Sequence, residues 1–298
     1  MAINYAEKYA SAIDERFKLG AVTGPAINNN YDFVGVKTVK VYSIPTVDMN
    51  DYTSSGINRY GTPSELQDTV QELTLKKDRS FAITIDKGNY QDTGMVKDAG
   101  KALSRQLDEV VIPEVDIYRL GVIAAGAKNT GSAAITKANA YEAFLDGTAA
   151  LTEEKAPMGG RIAYVAPDYY KFLKLDPSFI QASDLAQNTL IKGQLGMVDG
   201  VPIVVVPTKY LTEGVKFIIT NPIACCAPVK LAEYKIHDNP PGINGWLIEG
   251  RIRYDAFVLD NKKGSIYVHK VASAQNGSGG QNGTGEQTGN EGQTESGE

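Results

Sequence analysis

The longest helical pattern in the chain lies between residues 89 and 125. Its apolar side chains recur every three or four residues and so form one stripe: Val96, Ala99, Leu103, Leu107, Val110 and Val111. Asp92 or Thr93 can accept hydrogen bonds from the first unpaired amides of a helix. The pattern therefore predicts an amphipathic helix over residues 93–111.

Pro113 ends this regular stretch, because its nitrogen has no hydrogen to donate to a continuing helix. Proline suits the first turn of a helix, and Glu114 and Asp116 favour the positive N-terminal end of one. The buried side then continues up to Gly126 through Ile117, Leu120 and Ile123. We expect a kinked rod made of two helical pieces.

Strand patterns flank a long polar stretch ahead of this rod. Residues 33–44 are β-branched and alternate in polarity, and a matching alternation returns further on at Leu73, Leu75, Phe81, Ile83 and Ile85. The two stretches are predicted to be the two sides of one hairpin. Residues 48–69 between them are rich in Gly, Ser, Asn and Asp and offer little to form a core.

A loop of that length is uncommon inside a compact domain, and an isolated two-stranded ribbon is barely stable in water. The favoured interpretation is that the ribbon projects from the body and is stabilised by lying on another subunit. The alternative is a surface hairpin that folds back on its own domain.

The two ends of the chain are predicted to differ from its body. Residues 3–18 can form a short helix, with Tyr5, Tyr9, Ile13 and Phe17 on one side, and this helix is expected to be an arm because it is marginal without a packing partner. Residues 274–298 have no large apolar side chain, so burial cannot offset the entropic cost of ordering them. A flexible acidic tail is expected, and its deletion is expected to leave folding unchanged.

After the rod the sequence alternates between α and β patterns. Helices are predicted at residues 138–146, 151–154, 167–173 and 185–191. Nearly continuous apolar strands, typical of the middle of a covered sheet, are predicted at residues 161–165, 201–207, 215–220 and 223–229. Two alternating strands, residues 245–259 and 264–271, are predicted to form a closing hairpin around the turn at residues 260–264.

Charge and composition exclude several classes of protein. The formal net charge is −5, and four glutamates after residue 274 supply −4 of it, which argues against a dedicated nucleic-acid binder. The sequence has no run of apolar residues long enough to span a bilayer and no signal-peptide core, which indicates a cytosolic protein. Adjacent Cys225 and Cys226 suit buried thiols in a strand better than a disulfide framework.

The sequence has few of the residues that commonly act in catalysis or metal binding. His237 and His269 are the two histidines, and neither is near a nucleophile pattern. Adjacent Cys225 and Cys226 lack the spacing of a zinc-binding pair, and His237 with Asp238 is expected to lie in a proline-rich loop. No phosphate-binding or dinucleotide-binding glycine motif is present. We therefore predict no catalytic, cofactor-binding or metal-binding residues.

The order of these elements resembles a known family. The segments GMVKDAGKALSRQLDEVVIPEVDIYRL and GRIRYDAFVLDNKKGSIYVHK carry the resemblance, which covers residues 1–272. The chain is similar to tailed-bacteriophage major capsid proteins of the Hong Kong 97 fold, an α+β fold with an N-terminal arm, an extended β-hairpin loop, a long spine helix, and peripheral and axial domains.

The resemblance implies a division of the chain. It predicts an N-terminal arm, an extended loop, the spine helix with the start of the peripheral domain, an axial domain, the closing strands of the peripheral domain, and the acidic Gly-rich tail. The corresponding ranges are residues 1–32, 33–88, 89–136, 137–235, 236–272 and 273–298.

The resemblance also implies the function. It predicts a structural protein, not an enzyme, that self-assembles into pentamers and hexamers of an icosahedral head shell around double-stranded DNA. Assembly is expected in the host bacterial cytoplasm around a portal, without sequence-specific DNA binding and without a membrane. The arm has no long coiled-coil segment ahead of it, so a separate scaffolding protein is expected. Residues 48–69 contain no lysine, so the lysine–asparagine crosslink of some members is not expected.

Two other functions remain open at this point. An encapsulin-type bacterial nanocompartment shares the fold but encloses cargo enzymes. A small-molecule enzyme using the α/β part is a more distant alternative.

Charge placement suggests where subunits meet. Lys76, Lys77 and Arg79 lie close together on the returning strand of the ribbon. The distal loop carries acidic residues that include Asp48 and Asp51, and the rod offers Asp108, Glu109 and Glu114. We predict that the basic cluster meets carboxylates of this kind on a neighbouring subunit, although lysines on a ribbon edge also serve solubility alone.

Overall fold

The computed structural model describes residues 21–28, 30–31, 38–63, 65–92, 99–178 and 196–271. Several predictions fall outside these ranges: the arm helix at residues 3–18, the helix at residues 185–191, the cap at Thr93, and the tail after residue 272. The side chain of Asp92, the other candidate cap, is also outside the described part.

The described residues form thirteen strands and several helices. The strands are β1 (Thr38–Ser43), β2 (Thr69–Thr74), β3 (Lys77–Asp86), β4 (Asn129–Gly131), β5 (Ile162–Val165), β6 (Met197–Val198), β7 (Val201–Val205), β8 (Val215–Thr220), β9 (Cys225–Cys226), β10 (Val229–Asp238), β11 (Gly245–Tyr254), β12 (Phe257–Val258) and β13 (Ile266–Lys270). The α-helices are α1 (Lys87–Asp92), α2 (Ala99–Gln106), α3 (Ile112–Ala125), α4 (Ala140–Glu153) and α5 (Pro167–Leu175). Short 3-10 turns occupy Gly24–Ala26, Thr208–Tyr210, Pro222–Ala224 and Asp260–Ser265.

The spine consists of α2 and α3, joined by a π-helical turn at Leu107–Val111. The predicted start of α3 at Pro113 and its end before Gly126 are confirmed, since Pro113 lies in the first turn and Gly126 follows the last helical residue. The helical path does not break at Pro113. In a regular α-helix, the ring of Pro113 would clash with the backbone carbonyl four residues earlier. The wider π turn relieves this clash. It also changes the angular spacing of residues, so Val110, predicted on the buried stripe, is 46% exposed.

The two halves of the spine pack on two different sheets. Leu103, Leu107 and Val115 contact the apolar face of the three-stranded sheet β10-β11-β3. Leu120 and Ile123 contact the six-stranded sheet β4-β13-β8-β5-β7-β6. The spine therefore joins the two sheets through one continuous buried stripe.

The six-stranded sheet is covered on both faces, as its apolar strands predict. Helices α4 and α5 cover one face through residues such as Phe144 and Tyr169, and α3 covers the other. Lys216 is the one charged residue in β8, and its ammonium lies 2.5 Å from the carboxylate of Asp168 in the first turn of α5. This ion pair accounts for the lysine in an otherwise apolar strand, because it joins helix α5 to the end of the sheet.

The pairing of β3 differs from the prediction. Strands β1 and β2 form the predicted antiparallel ribbon, with Thr38 opposite Thr74 and Ser43 opposite Thr69. Phe81, Ile83 and Ile85, however, lie in β3, which pairs with β11 along its whole length. The prediction that these residues belong to the ribbon is wrong, because the alternation of apolar residues identifies the buried face of a strand but not its partner.

Other elements in the second half also need correction. The predicted closing hairpin is wrong: β11 pairs with β10 and β3, whereas β13 pairs with β4 and β8. The segment between them is the 3-10 turn Asp260–Ser265 rather than a hairpin turn. The two helices predicted at residues 138–154 are the single helix α4. Of the strand predicted at residues 223–229, only β9 and the first residue of β10 are extended as strands. His237 and Asp238 end strand β10 instead of lying in a loop.

Candidate assembly interface

The ribbon β1–β2 ends in a distal loop, residues 44–68, whose apolar side chains face solvent. Met49 is 98% exposed, Ile57 is 94% exposed and Tyr60 is 85% exposed. Six further large apolar side chains of the loop and its adjoining strands are also exposed: Tyr42, Ile44, Val47, Tyr52, Leu66 and Val70. Such a concentration of exposed apolar area on one projecting element marks a surface that contacts another molecule.

The tip of the loop has a defined conformation despite its exposure. The amide of Thr53 donates to the carbonyl of Arg59 at 3.1 Å, and the rings of Tyr52 and Tyr60 meet edge to face with centroids 5.1 Å apart. Gly56 and Asn58 adopt positive φ angles of 92° and 63°, which the tight turn between them requires. The loop therefore presents Ile57 at the apex of a small preformed turn.

The ribbon also has internal cross-strand contacts. Lys40 lies opposite Glu72, and their charged groups are 2.9 Å apart. The hydrogen bond and the charge of Glu72 raise the pKa of Lys40. The hydroxyls of Thr38 and Thr74 share a hydrogen bond of 2.8 Å at the base of the ribbon. These contacts fix the register of the two strands.

Buried leucines and a carboxylate attach the base of the ribbon to the body. Leu73 and Leu75 are buried with Cys226 and Leu259. Immediately after them, the amide of Lys76 donates to Asp255 at 2.7 Å, and the hydroxyl of Tyr118 on the spine donates to the same carboxylate at 2.6 Å. The ribbon is thus held at its base and exposed at its tip.

Gln71 makes a second connection between the ribbon and the body. Its side-chain amide donates to the carbonyl of Val258 at 2.9 Å and accepts from the amide of Asp260 at 3.1 Å. The side-chain amide of Asn261 also donates to the hydroxyl of Ser43. The side chain of Gln71 satisfies the backbone of residues 258–260 in the way that a neighbouring strand would.

The predicted basic cluster has partners within its own chain. The guanidinium of Arg79 lies 2.8 Å from Glu114, which also accepts a hydrogen bond of 3.2 Å from Tyr254. Burial, and then the charge of Glu114, raise the pKa of Tyr254 to about 12. The ammonium of Lys77 lies over the ring of Tyr118 at 4.9 Å. The packing of the spine on β3 brings Arg79 and Glu114 together within one chain, and their contact with a neighbouring subunit stays a prediction.

The predicted acidic partners are separated in the structure. Glu109 pairs with Arg105 one turn earlier on the spine at 3.0 Å, and Asp108 is within 3.5 Å of the hydroxyl of Ser104. Asp48 and Asp51 lie on the exposed distal loop, far along the chain from the spine carboxylates. Contact with another subunit stays a prediction for all the candidate residues: Lys76, Lys77, Arg79, Asp48, Asp51, Asp108, Glu109 and Glu114.

The segment at residues 21–28 is anchored to the spine by a buried network that the sequence did not reveal. Asp116 accepts hydrogen bonds from the amide of Val22 at 3.1 Å and from the hydroxyl of Thr23 at 2.6 Å. The same hydroxyl accepts from buried Arg119 at 3.3 Å. Burial lowers the pKa of Arg119, and Asp116 opposes that effect. Thr23 therefore links a buried anion to a buried cation.

His269, Cys225 and Cys226 are buried parts of the core. His269 stacks on Phe217 at 5.1 Å, and its Nε2 lies 2.8 Å from the carbonyl of Ala133. Burial raises the pKa of Cys225 to about 12 and that of Cys226 to about 11, which makes both thiols unreactive. Within the described ranges, no group of three or more His, Cys, Asp or Glu residues is placed to hold a metal ion. Among the helices that the structure describes, none has the length and apolar character needed to cross a membrane.

Comparisons with known proteins agree with this picture. The family model for phage capsid protein matches residues 69–268, about two thirds of the chain. No curated protein matches the chain in sequence.

Several solved structures share the fold. A structure from Mycobacterium phage Che8 has a TM-score of 0.69 at 17% identity, covering 84% of this chain and 90% of that chain. The capsid structure of cyanophage P-SCSP1u has a TM-score of 0.63 at 13% identity, with coverages of 79% and 84%. A virus-like particle from Pyrococcus furiosus has a TM-score of 0.56 at 14% identity, with coverages of 90% and 100%.

The family match includes most of the residues that form the two sheets and the spine. The chain therefore belongs to the phage capsid protein family, has the Hong Kong 97 fold and is a structural component of the bacteriophage virion that assembles with other subunits into a shell.

Proposed function

We propose that the protein forms pentamers and hexamers that close into an icosahedral head shell around double-stranded DNA. The observation that carries this proposal is the ribbon β1–β2, which is anchored at Asp255 and exposes Met49 and Ile57 at its far end. An element of this kind gains its stability from a surface outside its own chain. In a closed shell, each ribbon meets the body of the next subunit.

Simple energetics support this role. Full burial of one Met or Ile side chain contributes about 1.5–3 kcal/mol, and the exposed ion pairs of the ribbon contribute at most about 1 kcal/mol each. Apolar contact at the tip therefore stabilises the assembly more than the ion pairs do. Because every subunit repeats the contact, a modest free energy per subunit is sufficient to drive closure.

The remaining partners are proposals of the same kind. We propose a separate scaffolding protein, a portal at one vertex, and assembly in the host bacterial cytoplasm. The DNA is enclosed without sequence-specific binding, which agrees with the formal net charge of −5.

We also propose how the chain divides in the assembled subunit. The peripheral domain contains the sheet β10-β11-β3 and the first half of the spine, and the axial domain contains the six-stranded sheet with α4 and α5. This assignment ends the continuous axial stretch near Val229 rather than at residue 235, because β10 pairs with β11, and it adds β4 and β13, which belong to the six-stranded sheet. It also ends the projecting loop near residue 75 rather than at residue 88, because β3 pairs with β11.

Expression of the full chain, alone and with the scaffold encoded beside it, tests the proposal. Electron microscopy is expected to show closed shells with pentameric and hexameric units, and sedimentation velocity is expected to show a large particle. A chain that stays monomeric at high concentration, even with scaffold present, would contradict the proposal.

A nanocompartment shell is the second candidate function, because the similar structures include a virus-like particle from an archaeon. The contents of particles purified from the native source distinguish the two functions. Double-stranded DNA inside the particles supports the phage head, and a packaged enzyme without DNA supports the nanocompartment.

A further inference from the structure

Strand β10 forms one edge of the sheet β10-β11-β3. Among the residues that the structure describes, no strand pairs with the outer side of β10, which is ten residues long. An open edge of that length presents a row of unpaired backbone N–H and C=O groups, which can form hydrogen bonds with a strand of another chain.

The sequence of this edge is complementary to itself when reversed about Tyr234. In an antiparallel pair of two β10 strands centred there, Glu233 faces Lys235 of the other copy, and Lys235 faces Glu233. On the opposite face, Ala232 meets Ile236. Opposite charges and apolar side chains placed directly across antiparallel strands stabilise the pairing.

Neighbouring registers lack this complementarity. Pairing centred on Glu233 places two glutamates face to face, and pairing centred on Lys235 places two lysines face to face. Like charges directly opposite each other are unfavourable. Among the registers centred on Glu233, Tyr234 and Lys235, charge therefore favours the one centred on Tyr234.

The edge is also rigid. Nine residue pairs join β10 to β11, with an irregularity only between Val229 and Leu231. Tyr234 is buried under the sheet with its ring stacked on Phe81 at a centroid distance of 6.2 Å. The centre of the edge is thus fixed before any partner binds, which lowers the entropic cost of pairing.

The same charges have weak partners within the chain. Lys235 lies 3.9 Å from Glu233 as an exposed pair. Charged side chains on an edge can also prevent unwanted pairing. Protection alone, however, does not require the signs to reverse about a central residue.

We propose that β10 pairs antiparallel with β10 of a second copy of this chain about a local twofold axis through Tyr234. The pairing joins two three-stranded sheets into one six-stranded sheet. It is an isologous contact, so one surface serves both subunits. This inference rests on the proposed function, because a closed shell provides twofold axes between its capsomers.

Disulfide trapping on the full chain tests the pairing directly. Opposed residues in an antiparallel ladder have Cα atoms about 4.5–5.5 Å apart, which a disulfide can span. A mixture of the variants Glu233→Cys and Lys235→Cys is expected to form a crosslinked dimer on oxidation. The variant Glu249→Cys is the matched control, because it is on the same face of the middle strand β11, one strand away from the axis.

Charge complementation between variants provides an independent readout. Lys235→Glu carries carboxylates at both positions, and Glu233→Lys carries ammonium groups at both, so each variant alone is expected to lose particle yield. An equimolar mixture is expected to recover it, which an effect confined to one chain cannot do.

The outcomes separate this inference from the proposed function. Shells that form without crosslinking above the Glu249→Cys control would overturn the edge pairing and leave the proposed function standing. Crosslinked dimers without shells would support the edge pairing and contradict the proposed function. If neither crosslinked dimers nor shells form, the edge pairing and the proposed function are both overturned.

Discussion

The carboxylate of Asp255 accepts a hydrogen bond of 2.6 Å from the hydroxyl of Tyr118 on the spine. Its second oxygen accepts from the amide of Lys76 at the base of the ribbon at 2.7 Å. The backbone amide of Ala256 donates to the same group at 2.8 Å. One buried side chain thus fixes the direction in which the ribbon leaves the body.

Substitution Asp255→Ala is expected to destabilise the protein by about 2–3 kcal/mol, because it leaves buried donors without an acceptor. The control Tyr118→Phe removes one of these hydrogen bonds and is expected to cost about 1 kcal/mol. Urea unfolding of both variants measures the difference. Equal and small losses would show that Asp255 does not organise the base of the ribbon.

The sequence predicted the faces of the strands better than their partners. The apolar runs at β5, β7 and β8 correctly indicated a covered sheet, because a strand buried on both faces is apolar at nearly every position. The alternation in β3 was equally clear, but it is compatible with pairing to β2 or to β11. The paired residues of β3 and β11 are 159 (Asp86 and Gly245) to 177 (Lys77 and Tyr254) positions apart in the sequence, and their pairing depends on how the spine places the two sheets, which no local pattern predicts.

Thr23 is expected to be sensitive to loss of its hydroxyl. Thr23→Val removes the group that donates to Asp116 and accepts from Arg119, and it leaves both buried charges poorly satisfied. We expect a loss of about 1–3 kcal/mol in the free energy of unfolding. Thr23→Ser keeps the hydroxyl and serves as the control. Equal stability of the Val and Ser variants would contradict a role for this hydroxyl.

Gly250 lies in the middle of β11, where the rings of Phe81 and Tyr234 close over it. A methyl group in this position would overlap both rings, so Gly250→Ala is expected to destabilise the protein by about 1–3 kcal/mol. Gly159→Ala is the matched control, because a Cβ there meets no atom within 4 Å. Thermal unfolding compares the two, and an unchanged melting temperature for Gly250→Ala would contradict the close packing.

The ion pair between Lys216 and Asp168 predicts a pH dependence. Burial alone would raise the pKa of Asp168, but the hydrogen bond from Lys216 and the amide of Tyr169 outweigh it and lower the pKa. A lowered folded-state pKa contributes stability above the unfolded value of about 4, and this contribution is lost as the pH falls through the folded value.

Lys216→Met is therefore expected to be less stable than the natural protein near pH 7, by less than about 1 kcal/mol because the pair is partly exposed. The difference is expected to shrink as the pH falls from about 4 through the lowered folded-state pKa of Asp168. Urea unfolding at both pH values measures it. A difference that stays constant with pH would show that Lys216 acts through packing alone.

The candidate site illustrates the same limit of sequence reasoning. The length and polarity of residues 48–69 indicated a projecting loop, because nothing in that stretch supports burial. The basic cluster was less informative, since charge alone does not say whether a partner is inside or outside the chain. Glu114 follows Arg79 by 35 residues, and only the packing of the spine on β3 brings them to 2.8 Å.

The exposed tip of the ribbon is proposed to join subunits in the shell, and this is the central claim. The most direct measurement is the particle yield of the double variant Met49→Asp/Ile57→Asp, with Met158→Asp as a control at another exposed methionine. Both are expected to melt like the natural protein, because the replaced side chains are exposed. We predict that the double variant forms no shells by sedimentation velocity and electron microscopy while Met158→Asp assembles normally. Normal shell yield from the double variant would contradict the claim.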